Sequence, residues 1–169
     1  MTFMVPFDGK ELAEAALVRA KEFNTVLDER IVAVSVIPKE NVEYARERGW
    51  LQKDEPFDVK RIVAKLHEQV LELAPEANFR HIVVSRYAPT GTIASQLRRH
   101  AEQEDASMVF IGSENAGRVV STVSSVGNNV ASDEDYDVVI IRNRTPSKIA
   151  KIRNNSPHRR QKSDFYFPR

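Results

Sequence analysis

The chain has 169 residues, 41% hydrophobic and 29% charged, enough for one domain with a core of its own. It holds no cysteine, which excludes a disulfide framework, a zinc–thiolate or iron–sulfur site and a thiol nucleophile, and fits a cytoplasmic location. The net charge of +1 conceals an asymmetry: residues 143–169 carry +7 and residues 1–142 carry −6, so an acidic globular part is expected to bear a basic tail.

Residues 2–7 read as a strand. Residues 10–23 read as a helix, with Leu12, Ala16, Ala20 and Phe23 along one face. Residues 31–37 form a second strand, stopped by Pro38. The next connection, residues 38–57, is far longer than the usual two to six residues or so. It contains a helical stretch at 41–48, closed by Gly49, and then the sole tryptophan, Trp50. That ring either pins the long loop to the body or belongs to a ligand lid. Val59, Ile62, Val63, Leu66, Val70 and Leu73 make the clearest helical stripe. Residues 79–85 read as a third strand. Thr92 can cap a helix whose inner face is Ile93, Leu97 and Ala101. Residues 108–111 and 138–141 read as strands four and five. No run approaches the roughly 20 apolar residues that cross a bilayer, and residues 1–7 lack a basic start and a cleavage site, so neither membrane span nor signal peptide is expected.

Strands alternating with helices predict an α/β fold with parallel strands and helices on both faces. The strands are apolar runs rather than alternations, as expected when both faces are covered. In such sheets ligands sit at the carboxyl ends of the strands where the winding reverses, which directs attention to the turns after strands one and four.

After strand one comes Pro6-Phe7-Asp8-Gly9. Pro6 suits a strand end because it cannot donate to a ladder. Asp8 can accept from a ligand hydroxyl or amine, or it can cap the following helix. After strand four comes Gly112-Ser113-Glu114-Asn115-Ala116-Gly117, with Gly127-Asn128 nine residues further on and Arg118, Ser121, Thr122, Ser124 and Ser125 between. Glycine permits close backbone approach, and a short helix opening at Gly127 would aim its N–H groups at a phosphate. Flexibility alone would also explain such a loop. Glu114 can orient water or a metal, or be a solvated carboxylate. Neither a P-loop nor the three-glycine dinucleotide fingerprint is present. His67, His81, His100 and His158 read as surface or packing residues, and no Ser/His/Asp grouping can be assembled, so no catalytic residue is assigned.

Pro6-x-Asp8-Gly9, five strands and Gly117-x9-Gly127 together resemble the universal stress protein (UspA-like) family, over about residues 1–142. The resemblance implies a three-layer α/β/α sandwich whose five-stranded parallel sheet has the order 3-2-1-4-5, bringing the turns after strands one and four together over one crevice. It implies binding of ATP, or of AMP or ADP, with Mg²⁺ or Mn²⁺ beside the phosphates. Asp8 and Gly9 would meet the adenosine portion, the backbone near Ser35 and Val36 the adenine, and Gly112 the ribose. Gly117, Arg118, Gly127, Asn128 and Asn129 would hold the phosphates. Two features depart from the family pattern of Gly-x2-Gly-x9-Gly-Ser/Thr: the first glycine pair here is Gly112-x4-Gly117, and Asn128 replaces the hydroxyl residue. The resemblance allows at most slow ATP hydrolysis. A module acting on proteins without nucleotide is the alternative.

Strand five, Val138, Val139, Ile140 and Ile141, would be an open apolar edge, and the family resemblance implies its pairing with a copy in a twofold homodimer. The acidic run 132–137 before it is a solvated segment or attracts the tail. The tail, residues 143–169, reads as disordered or loosely docked, and nucleic-acid binding is not expected because its eight basic residues are thinly spread and its aromatics lie only at the end.

Overall fold

The structure, a computed structural model, describes residues 1–89, 91–116 and 136–143. Its elements are β1 (Thr2–Pro6), α1 (Glu11–Leu27), β2 (Arg30–Pro38), α2 (Val42–Glu47), α3 (Val59–Leu73), β3 (Asn78–Val84), α4 (Gly91–Gln103), β4 (Ala106–Gly112) and β5 (Asp137–Ile141). The five strands form one sheet in the order β3-β2-β1-β4-β5, every pairing parallel.

Alternate residues of the central strands feed two separate cores. Phe3, Val5, Ile31, Ala33, Ile37 and Phe110 pack with α1 and α3 on one face. Met4, Val32, Val34, Val36, Val109 and Ile111 pack with Leu97 and Ala101 of α4 on the other. This is the three-layer sandwich, and it explains why the strands read as unbroken apolar runs.

The stripe on α3 holds: Ile62, Leu66, Val70 and Leu73 are buried, and Val59 and Val63 pack against the same core from its rim. Asp58 caps this helix, its carboxylate accepting from the Lys60 N–H at 3.0 Å. Several boundaries shift by a residue or two from the sequence reading, and three differences have a clear physical cause. Helix α1 runs on to Leu27 and buries Ala13, Ala15, Leu17 and Val18 as well as Leu12, Ala16 and Ala20, while Phe23 is 41% exposed, its ring meeting Phe110 edge-on at 5.4 Å. Small alanines let this helix be enclosed on more than one side, so a single stripe under-describes it. Pro38 closes β2 from inside the strand rather than from beyond it. It pairs with Val84 of β3, and β1 has already ended opposite Val34, so no neighbour on that side needs its missing N–H. Thr92 lies in the first turn of α4 rather than capping it, its N–H bonded to the Pro89 carbonyl at 2.8 Å.

Strand β2 therefore overhangs β1 at its carboxyl end. Beyond Pro6 the chain leaves the sheet: the Phe7 N–H still bonds to the Val34 carbonyl at 2.8 Å, and the buried Ser35 hydroxyl donates to the Phe7 carbonyl. Gly9, at φ +81°, then turns the chain into α1. A side chain there would be strained and would meet Gln69 Oε1 at 2.8 Å. On the other side of the reversal, a Cβ on Gly112 would lie 2.7 Å from the Leu12 Cβ, so glycine is what lets the end of β4 approach the first turn of α1.

Candidate functional site

The winding reverses between β1 and β4, and the turns that follow those strands meet there. Asp8 is the knot. Its Oδ1 accepts from the Lys10 N–H at 3.0 Å, its Oδ2 accepts from the Asn115 side-chain amide at 2.8 Å, and its backbone carbonyl accepts from the Trp50 indole N–H at 2.7 Å. Of the two sequence readings of Asp8, the helix cap does not form. Lys10, not Asp8, occupies the cap position of α1, and Asp8 steadies that turn while holding Asn115. Gln69 of α3 adds a bond from its amide to the Gly9 carbonyl at 3.2 Å.

Trp50 is buried at 4% exposure and pins the connection between β2 and α3, as one of the two sequence readings held. The same connection also roofs the crevice. Helix α2 starts at Asn41, whose side chain accepts from the Tyr44 N–H at 3.1 Å. Tyr44 meets the Trp50 ring edge-on at 5.6 Å, and the Arg48 guanidinium lies 3.4 Å from the centre of the Tyr44 ring. Tyr44, Arg48, Val34, Val36, Pro6, Phe7, Ile93, Leu97, Asp8 and Asn115 together enclose an apolar slot of about 30 Å³. That is room for a water or two, well below the roughly 300 Å³ at which ligand pockets begin. Beyond Arg48 opens a polar basin of about 320 Å³, bounded by Gly9, Lys10, Glu11, Glu14, Arg48 and Glu114.

Of the residues singled out from sequence after strands one, two and four, Pro6, Asp8, Gly9, Val36 and Glu114 border this crevice. The buried Ser35 hydroxyl donates to the Phe7 carbonyl, and it is the backbone at Ser35, not this side chain, that the family resemblance assigns to the adenine. Gly112 lines neither space; it is accounted for by Leu12 and by the turn in which the Asn115 N–H bonds its carbonyl at 2.9 Å. Gly117, Arg118, Gly127, Asn128 and Asn129 lie outside the described residues, as do residues 132–135 of the acidic run and residues 144–169 of the tail. Val138, Val139, Ile140 and Ile141 form the edge strand β5, paired with β4.

Tyr44, Arg48 and Asn115 were missed. The signal for Arg48 was present in retrospect: Tyr44 and Arg48 stand four apart, on one face of a short helix. Three of the four histidines are surface or packing residues, and His158 lies outside the described residues. His67 stacks on Phe79 at 5.1 Å, His81 lies on the same ring at 6.4 Å, and His100 sits 3.4 Å from the Glu104 carboxylate. Among the described residues no cluster of three or more His, Asp or Glu could hold a metal, and no helix is long and apolar enough to cross a membrane.

Comparison with known proteins agrees with this architecture. No curated protein is a match for the chain. A universal stress protein crystallised in complex with cAMP superposes with a TM-score of 0.51 at 19% identity, over 84% of this chain and 97% of its own. A protein of the universal stress protein family from Burkholderia pseudomallei gives 0.50 at 21% identity, over 83% and 94%. The family model described as "Universal stress protein family" matches residues 1–142. By that match and by its 3-2-1-4-5 parallel sheet, the chain belongs to the universal stress protein family.

Proposed function

We propose that residues 1–142 are a sensor domain that takes an adenine nucleotide, ATP or its mono- and diphosphate, in the crevice between β1 and β4, and that residues 143–169 are an appended basic tail. The observation that carries this reading is the convergence of Asp8 and Asn115, 2.8 Å apart, beside an apolar slot at the reversal of the sheet. Val34, Val36, Ile93 and Leu97 offer a base its apolar walls. Asp8 and Asn115 supply the acceptor and amide that a ribose needs, and Gly9 with the basin beyond leads towards the phosphates. Gly117, Arg118, Gly127, Asn128 and Asn129 are the residues proposed to cradle those phosphates. Mg²⁺ or Mn²⁺ would arrive on the phosphate chain, since no described cluster of side chains is built to hold a cation alone. A related protein crystallised with cAMP supports the choice of an adenine nucleotide.

The fifth strand, Val138, Val139, Ile140 and Ile141, is the proposed homodimer seam, because among the described residues it is an edge of the sheet and Ile140 on it is exposed. A specific observation favours a second reading, a protein-interaction module without nucleotide: the slot is nearly filled by its own side chains. The test is direct. Protein denatured after purification should release ATP, ADP or AMP, and calorimetry with ATP and Mg²⁺ should show binding that Asp8→Ala abolishes. No binding at millimolar ATP refutes the nucleotide reading and leaves the interaction module. Turnover of ATP above the buffer rate would instead make the domain a slow ATPase.

A further inference from the structure

Arg48 stands on the wall shared by the apolar slot and the polar basin. It is the last residue before Gly49, which sits at φ +72°, and it closes α2. Its side chain is 11% exposed, yet it is poorly held. Its Nε is buried with no hydrogen-bond partner, and its Nη1 reaches only the exposed Glu47 carboxylate, at 3.9 Å. What keeps it in place is the stack on Tyr44, at 3.4 Å. A flat guanidinium on an aromatic face occupies the position that a flat base would use. The basin behind it is crowded with carboxylates, Glu11, Glu14 and Glu114, and the cations among its lining residues are Lys10 and Arg48.

We infer that Arg48 sets the ligand preference of this crevice: it competes with the base for the Tyr44 face and, once displaced, turns into the basin to meet the ligand's phosphates. This rests on the nucleotide reading above and extends it to a preference for phosphorylated over unphosphorylated adenosine. Two physical facts support the exchange. The buried, unpartnered Nε makes the stacked position costly, and a guanidinium meets a phosphate with two parallel bonds. A nucleoside without phosphate displaces Arg48 and gives it nothing in return. A nucleotide displaces it and pairs with it.

The experiment is a calorimetric titration of adenosine and ATP–Mg²⁺ into the whole protein and into the variants Arg48→Ala and Arg48→Gln. Trp50, the sole tryptophan and 5.6 Å from the Tyr44 ring, reports folding and occupancy by its emission. Removing the competing guanidinium should tighten adenosine binding about tenfold, the size of a desolvated cation–π contact. ATP, which loses a phosphate partner, should gain nothing, so its advantage over adenosine falls by about tenfold or more. Adenosine binding that appears only in the variants supports the inference in its strongest form. A ratio of ATP to adenosine affinity unchanged in both variants, with ATP still bound by the wild type, overturns the role of Arg48 and leaves the nucleotide reading standing. Failure of all three proteins to bind either ligand at millimolar concentration overturns both.

Discussion

Trp50→Phe tests whether the roof of the crevice is held by one hydrogen bond. The indole N–H donates to the Asp8 carbonyl at 2.7 Å, and the ring is almost wholly buried among Tyr44, Ala45 and the core of α1 and α3. Phenylalanine keeps most of the apolar contact but leaves the carbonyl without its donor. An unsatisfied buried acceptor costs about 1–3 kcal/mol, and the space vacated by the smaller ring adds a fraction of the 3–5 kcal/mol or so lost when a large aromatic is cut to alanine. About 2–3 kcal/mol is the expected total. If the roof unfolds with the rest, the urea midpoint followed by circular dichroism falls at unchanged slope, and Tm drops by about 5–10 °C for a domain of this size. If it opens alone, the global transition is unmoved, but exchange of the amides of α2 speeds up by about thirtyfold or more. A variant that changes neither the midpoint nor the exchange of α2 would show that water replaces the indole without penalty and that Trp50 is not the pin.

Gly112→Ala should cost about 1–3 kcal/mol in urea unfolding, because its Cβ would lie 2.7 Å from the Leu12 Cβ and 3.2 Å from the Leu12 carbonyl carbon; stability within 0.5 kcal/mol or so of the wild type would contradict the close approach of β4 to α1. Leu66→Ala removes a fully buried side chain of α3 and should cost about 2–5 kcal/mol by the same assay, a loss below 1 kcal/mol or so arguing against the packing of α3 on the sheet. Asp58→Ala deletes the cap of that helix and should cost about 1 kcal/mol, with Asp58→Asn close to neutral. Ile140→Lys should give monomer, or insoluble protein, by light scattering, and an unaltered dimer would remove β5 as the seam.

The sheet was legible because its central strands are nearly continuous apolar runs, and a run buried on both faces leaves few choices but a covered parallel sheet. The amphipathic α3 was legible from its period alone. Helix α1 was less so, since alanines on several faces blur any single stripe and Phe23 at its end packs only by its edge. The crevice was read from strand ends and glycines, which locate a site but do not fill it. Asn115 meets Asp8 across 107 positions and Trp50 meets it across 42, and no local pattern announces such partners. Arg48 left a local trace, its spacing of four from Tyr44, but that spacing does not say that the pair faces inward over the crevice. Gly112, assigned to a ribose from the family pattern, is also required by the Leu12 side chain opposite it, which the sequence did not announce.

The length of those spans fixes when the crevice can exist at all. Strand β1 precedes its partner β4 and the Asn115 turn by about a hundred residues in the chain. Until β4 is made Asp8 lacks its Asn115 partner, so the crevice can close only once the chain has passed that turn and the centre of the sheet has been assembled.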